Sequence, residues 1–311
     1  MSHQLCSLPV TLHIGEATFI LGFKIERNPE SREIKLSQSA YIQGLLERFG
    51  MEGAHAVTTP VENYSMVKAE AFDMERATPK ELREFTERRG LCQSIVGSVM
   101  WCAVSTRPDL GFAAGYLSRF NANPTVEHLK AAKRVLAYLK GTLALGLVFG
   151  MGKINDERLV GYSDSDYAGD LDSRRSTTGF VFRYKGSILS WGSARQATVA
   201  LSTCEAEYMA LAEAYKEGIW LWRLLRELGQ KTESDFLIYC NNRGAVALAA
   251  NPGHHKRTKH IDIRYHAVRE AVEAGRLTVQ LINTRYQLAD ALTKAPKGPL
   301  HTHHLELLQL Q

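Results

Sequence analysis

The stretch Leu159-Val-Gly-Tyr-Ser-Asp164 sets a short apolar run directly before an acid, and the reading of the chain turns on it. Leu159–Ser163 has the make-up of a strand, as do Gly179–Tyr184 and Ile188–Trp191, and turn signals separate the three. Ser202-Thr-Cys-Glu205 then forms a capping box, because Ser202 and Glu205 can each satisfy an orphan amide at a helix start. The helix it opens carries Tyr208, Leu211, Tyr215, Ile219 and Trp222 on one face. Phe236–Cys240 is apolar throughout, the pattern of a strand covered on both sides. A short helix at Gly244–Ala250, a longer one at Ile261–Ala274, a strand at Leu277–Ile282 and a closing helix over Gln287–Lys294 follow. This order of elements predicts an α/β fold with one mixed sheet and helices on its faces.

Four polar residues fall at telling places on those elements. Asp164 ends the first strand, Glu207 lies in the opening turns of the capped helix, Asn241 directly follows the buried strand, and Asp290 lies in the last helix. Singly, such residues are ordinary: a strand-end Asp usually serves a turn, and an early helical Glu usually complements the macrodipole. Together they can meet at one end of the sheet. Converging carboxylates stay ionised only when cations neutralise them, and hard oxygen-seeking ions such as Mg²⁺ or Mn²⁺ do so. Two such ions about 4 Å apart suit phosphodiester hydrolysis.

Outward from this half, the preceding residues read as mixed and then mostly helical. Ala17–Glu26 is a strand candidate, with Glu33–Leu36 as its partner across Asn28-Pro29, and Gln38–Phe49 has helical spacing. From Thr58 to Glu87 the chain is polar and weakly periodic, which predicts a surface excursion with a helix at Pro79–Arg89. Helical patterns at Cys92–Ser105, Leu110–Phe120 and Val126–Lys140 are parted by Arg107-Pro108 and Asn123-Pro124.

The 311 residues suffice for two ordinary domains, and 45% hydrophobic with 23% charged residues exclude global disorder. A net charge of +5 suits a polyanionic partner without requiring one. Cys6, Cys92, Cys102, Cys204 and Cys240 are scattered and odd in number, as expected of reduced thiols in an intracellular protein of cytoplasm or nucleus. No apolar run reaches membrane-spanning length and the first residues lack a secretion signal, so neither a membrane nor secretion is expected.

Several spaced motifs now point to a family. Gly161-Tyr-Ser-Asp-Ser-Asp-Tyr-Ala-Gly-Asp170, Arg175-Ser-Thr-Thr-Gly179, Leu201-Ser-Thr-Cys-Glu-Ala-Glu-Tyr208, Lys259-His-Ile-Asp-Ile263 and Leu288-Ala-Asp-Ala-Leu-Thr-Lys294 resemble the ribonuclease H (RNase H) domain of Ty1/copia-type retrotransposon Pol polyproteins. Upstream, Val96-Gly-Ser98, Thr106-Arg-Pro-Asp109, Leu117-Ser-Arg-Phe120 and Tyr138-Leu-Lys-Gly-Thr142 are similar to the C-terminal part of the same elements' reverse transcriptase. The resemblance implies a mainly helical reverse-transcriptase remnant over residues 1–150, an RNase H-like domain over 157–297 and a tail over 298–311. No Asp-Asp pair occurs in the chain, so a polymerase site is not expected.

The resemblance further implies cleavage of the RNA strand of an RNA–DNA hybrid with two divalent ions. By position, Asp164 would bridge both ions, Asp290 would share the one that activates water, and Glu207 would hold the other. The family's third aspartate falls on Asn241, which keeps an acceptor oxygen but loses the charge and one ligand. The loss falls on the second ion, and a weak or inactive nuclease is expected. Asp166, two residues beyond Asp164, is a candidate to compensate. The basic loop His254-His-Lys-Arg-Thr-Lys-His260 would meet phosphates through Lys256, Arg257 and Lys259, with Arg175 and Gln196 as further backbone contacts. Trp191, Trp220 and Trp222 fall in apolar patterns and read as packing residues. The expected partners are a hybrid or other nucleic acid and the remainder of a polyprotein. Alternatives are a nucleic-acid-binding module that no longer cuts, and a transposon relic without a selected role.

Overall fold

A computed structural model describes residues 15–62, 72–150, 157–250 and 262–311, with backbone alone for 262–265. Lys256, Arg257 and Lys259 lie outside the described residues.

In the first half, β1 (Phe19–Ile20), β2 (Phe23–Asn28), β3 (Glu33–Ser37) and β4 (Gly146–Phe149) form an antiparallel sheet in that order. The expected strand over Ala17–Glu26 is broken at Leu21-Gly22, both in the left-handed region, so the chain turns back on itself there. Helices α1 (Ser39–Arg48), α2 (Pro79–Ser105), α3 (Gly111–Ser118) and α4 (Val126–Gly141) pack through Ile42, Leu45, Ile95, Val99, Leu110 and Leu136. Two expected helices are one, α2. Thr78 caps it, accepting from the Glu81 N–H while the Glu81 carboxylate accepts from the Thr78 N–H and hydroxyl. Its first two turns bury only Phe85, and this exposed start carries no clear apolar period. β4 carries no strand signal in the sequence: four residues are too few to show a period, and pairing with β3 defines them as a strand.

The second half forms the predicted mixed sheet from β5 (Val160–Ser165), β6 (Thr177–Tyr184), β7 (Ser187–Arg195), β8 (Phe236–Cys240) and β9 (Leu277–Leu281). Their order is β7-β6-β5-β8-β9: β6 is antiparallel to both of its neighbours, β5 and β7, and β8 and β9 run parallel to β5. One face is covered by α5 (Thr203–Glu227), α6 (Arg243–Ala250) and α7 (Asp262–Glu273), around Leu159, Phe182, Tyr208, Leu211, Phe236 and Ile238. Ser202 accepts from the Glu205 N–H as expected, but Glu205 turns back to the Leu201 N–H, so the box is shifted by one residue. Trp191 and Trp222 are packed, and the Trp191 Nε1–H donates to Ala103 of α2. Trp220 departs from expectation: it is 55% exposed, because the helix stripe passes one position to its side.

On the opposite face, Val181, Ile188, Leu288 and Leu292 meet Leu147, Leu308 and Leu310. Residues 298–311 fold as α8 (Gly298–Leu307) and a short terminal segment, and Gln311 exchanges backbone hydrogen bonds with Gly146 beside β4. The Tyr138 hydroxyl of α4, 2.8 Å from His301 Nε2, also donates to Asp109, which holds the fully buried Arg107 through two bonds of 2.7 and 2.9 Å. The Thr106-Arg-Pro-Asp109 motif is therefore a buried ion-pair centre on which the C-terminal helix sits. The closing helix expected over Gln287–Lys294 is of the 3-10 type. It is a tight turn over Leu288–Leu292, preceded by another at Thr284–Tyr286.

Candidate active site

Asp164 is the fifth residue of β5 and lies opposite Gly179 of β6 in register. That glycine is needed for packing: a Cβ there would come within 2.8 Å of Ala289 O and of Thr293 Cγ2. Without a side chain on β6, the turn carrying Asp290 lies directly on the sheet. Three polar contacts hold it down. Gln287 donates to Ser163 O at 2.9 Å, Ser193 to Leu292 O at 2.6 Å, and the Thr293 hydroxyl to Asp164 Oδ2 at 2.5 Å. Asp290 thereby comes within hydrogen-bonding reach of Asp164.

Glu207 enters from the first turns of α5, and its carboxylate accepts from the Ser165 backbone N–H. Asn241 follows β8, parallel to β5, and its Nδ2 donates to Asp164 Oδ1 at 3.2 Å. Strand order alone explains this meeting: β5 and β8 are neighbours pointing the same way, so their ends lie side by side. Asp164, Glu207 and Asp290 are buried and Asn241 half-buried.

Charge in so dry a place is strained. Burial, and then the charge of Asp290, push the Asp164 carboxyl up to about 6. Burial, with the charges of Asp164 and Asp290, pushes Glu207 up to about 9. Lys294 answers this field: its Nζ lies 2.8 Å from Asp290 Oδ2. Burial works against its charge, but the bond to Asp290 and the three carboxylates outweigh that and raise its pKa. Neither Thr293 nor Lys294 was singled out from the sequence. Both stand in the Leu288–Lys294 motif, where the sole available signal was their adjacency to Asp290.

Glu207 Oε2, Asn241 Oδ1 and Asp290 Oδ1 are buried acceptors without a hydrogen-bond partner. Three uncommitted oxygens from three elements are a donor set suited to a hard divalent cation. Among the described residues, no three His, Cys, Asp or Glu side chains already stand close enough to hold an ion, and Asp290 is turned to Lys294.

Asp166 is committed elsewhere. Its Oδ1 accepts from the Thr177 N–H, and Oδ2 lies where a Cβ on Gly169 would stand, so the carboxylate faces the loop after β5. Gln196 is buried rather than presented to solvent, since its Nε2 donates to Ala206 O at 2.9 Å and Thr178 Oγ1 at 3.1 Å, bridging β7 to α5. Arg175 is half-buried on the same loop, following the exposed Arg174, whose backbone is left-handed. The loop is clamped by Arg119 of the first half and Arg195 of β7, each placing Nη1 2.9 Å from Asp170 Oδ2, and Arg119 also donates to Thr177.

A five-stranded sheet in the order β7-β6-β5-β8-β9, with acidic side chains gathered at the adjoining ends of β5 and β8, defines an RNase H-like fold. No family model matches the chain. It is 44% identical over 282 residues to the retrovirus-related Pol polyprotein from transposon TNT 1-94 of Nicotiana tabacum, covering 90% of this chain and 20% of that one. It is 42% identical over 279 residues to the Pol polyprotein from transposon RE1 of Arabidopsis thaliana, covering 90% and 18%. Its relatives at 40–44% identity over about 90% of the chain are retrovirus-related Pol polyproteins of Ty1/copia-type transposons, and its second half has an RNase H-like fold. The chain spans about a fifth of the length of these relatives. Among solved structures, LC11-RNase H1 isolated from compost is 18% identical, with a TM-score of 0.35 over 44% of this chain and 93% of that one. The same enzyme in complex with RNA/DNA hybrid scores 0.33. Strand order and register, rather than these scores, define the fold. Among the described residues no helix is long and apolar enough to cross a membrane.

Proposed function

We propose that the second half of this chain, residues 157–297, is a metal-dependent RNA–DNA hybrid ribonuclease whose activity is reduced by Asn241. Residues 1–150 and 298–311 act as its scaffold. The observation that carries the reading is the set of unpartnered buried oxygens on Glu207, Asn241 and Asp290 around Asp164. Asp164, Glu207 and Asp290 would hold Mg²⁺ or Mn²⁺. When bound, such ions supply an activated water and stabilisation of the leaving oxygen.

The chain's own groups prepare that chemistry. Thr293 and Asn241 each donate to one oxygen of Asp164 and so set its plane. Ser165 orients Glu207, and the 3-10 turn over Leu288–Leu292 sets Asp290 against β6. Asn241 offers one neutral oxygen where a carboxylate would offer two oxygens sharing a charge, so a cation at the site is held more weakly. Arg175, with Lys256, Arg257 and Lys259, would hold the hybrid's phosphates. The test is cleavage of a labelled RNA–DNA duplex in Mg²⁺ by the chain beside its Asn241→Asp variant. The variant is expected to cut at least about tenfold faster, the equivalent of about 1.4 kcal/mol in the barrier. Equal rates would sink the claim of impairment, and no cleavage by either would sink the nuclease reading. Salt-dependent hybrid binding without cleavage would favour the binding-module alternative.

A further inference from the structure

Lys294 has no part in the reading above, yet it is the cation that the acidic cluster holds. Its Nζ lies 2.8 Å from Asp290 Oδ2, and its charge is also felt by Asp164 and Glu207. The side chain is 40% exposed, so the ammonium reaches in from the rim while Asp290, 5% exposed, lies beneath it. The backbone on its N-terminal side is fixed, because Leu292 O accepts from Ser193 and Thr293 is bonded to Asp164. The lysine is therefore anchored within reach of the carboxylates.

We propose that Lys294 is a resident cation of this site, which withholds one oxygen of Asp290 and, together with Asn241, limits the site to a single divalent ion. The proposal rests on the reading of Asp164, Glu207 and Asp290 as ion ligands. Its ground is charge balance in a dry enclosure. Among the described residues, three carboxylates and one ammonium leave two negative charges, which one divalent cation cancels. A second would leave a buried excess of positive charge with no ligand to meet it. Either Asn241→Asp or Lys294→Met adds one unit of negative charge, and only both together leave the four negative charges that two divalent ions match. Geometry agrees with the charge. The Asp290 oxygen bonded to Lys294 is occupied, whereas its Oδ1 is without a partner.

The test counts Mn²⁺ bound to the full chain, without nucleic acid, by calorimetry and by the electron paramagnetic resonance signal of free Mn²⁺. The wild-type chain is expected to bind one ion. Lys294→Met is expected to bind it about tenfold tighter, as removal of a nearby like charge requires. The double variant Asn241→Asp/Lys294→Met is expected to bind two, whereas Lys294→Arg, which keeps the charge, should match wild type. A Lys294→Met chain that folds only when Mn²⁺ is present also supports the proposal. Lys294→Met binding no tighter than wild type, or a double variant that binds one ion, overturns it and leaves the nuclease reading standing. Absence of Mn²⁺ binding by all four proteins overturns both.

Discussion

Replacing Asn241 by aspartate removes an amide that donates to Asp164 Oδ1 across 3.2 Å and sets carboxylate oxygens in its place. Two unit charges at that separation repel by about 5 kcal/mol at an effective dielectric of about 20. The ion-free fold does not bear all of this, because the pair can keep a proton. Burial and Asp290 already hold the Asp164 carboxyl at about 6, so keeping that proton at pH 7 costs only about 1.4 kcal/mol. A protonated carboxyl also donates back the hydrogen bond that the amide made. The ion-free variant should therefore lose about 1–2 kcal/mol, a fall in Tm of about 1.5–3 °C for a chain of this size. With Mg²⁺ the sign reverses, since two oxygens sharing a charge bind a divalent cation better than one neutral one. Thermal unfolding of both proteins at pH 7, in a chelator and then in Mg²⁺, measures the two differences. A variant as stable as wild type without the ion, or one that gains no more from Mg²⁺, would refute the placement of residue 241 against Asp164 in an ion site.

In the ion-free chain Asp164 and Glu207 keep protons that the unfolded chain releases near 3.8 and 4.5, so their share of the stability is present below those values. It falls as pH rises through about 6 and then about 9. Unfolding followed across this range should show that decline, with Glu207→Gln removing its upper part; a wild-type curve flat between pH 6 and 9 contradicts the strain assigned to the site. Asp109→Ala leaves the fully buried Arg107 guanidinium without its partner and should cost about 3–5 kcal/mol, read from denaturant unfolding. Removing residues 298–311 takes the buried Leu308 and Leu310 from the sheet's second face and should cost about 3–6 kcal/mol; a truncated chain of unchanged Tm would show that the segment is a dispensable tail.

Much of the sheet half is legible in the sequence because its information is local. The runs over Val160–Ser165, Thr177–Tyr184 and Phe236–Cys240 have the right length and composition, and Ser202 marks the start of α5 within one residue. Asp164, Glu207 and Asn241 can be placed relative to those elements for the same reason, since each stands a fixed number of residues from a recognisable end. Period and capping are properties of a few consecutive residues. They survive whatever the rest of the chain does.

Other features are decided by residues far apart in the chain. β4 is a strand because β3 lies beside it, and α8 is held by Tyr138, which lies 163 residues away from His301. The turn at Leu288–Leu292 is tightened by Gly179 and by polar contacts to β5 and β7, where local spacing suggested only a helix. Gln196 and Asp166 look in sequence like residues free to meet a substrate or an ion, and packing turns one into the sheet–helix bridge and the other onto Thr177. The same holds at the site. Sequence determines that Asp164 stands at the end of β5 and Asn241 directly after β8. Only the tertiary structure brings Lys294 among the carboxylates, because unbalanced charge in a buried enclosure is relieved by whichever cation the fold can reach.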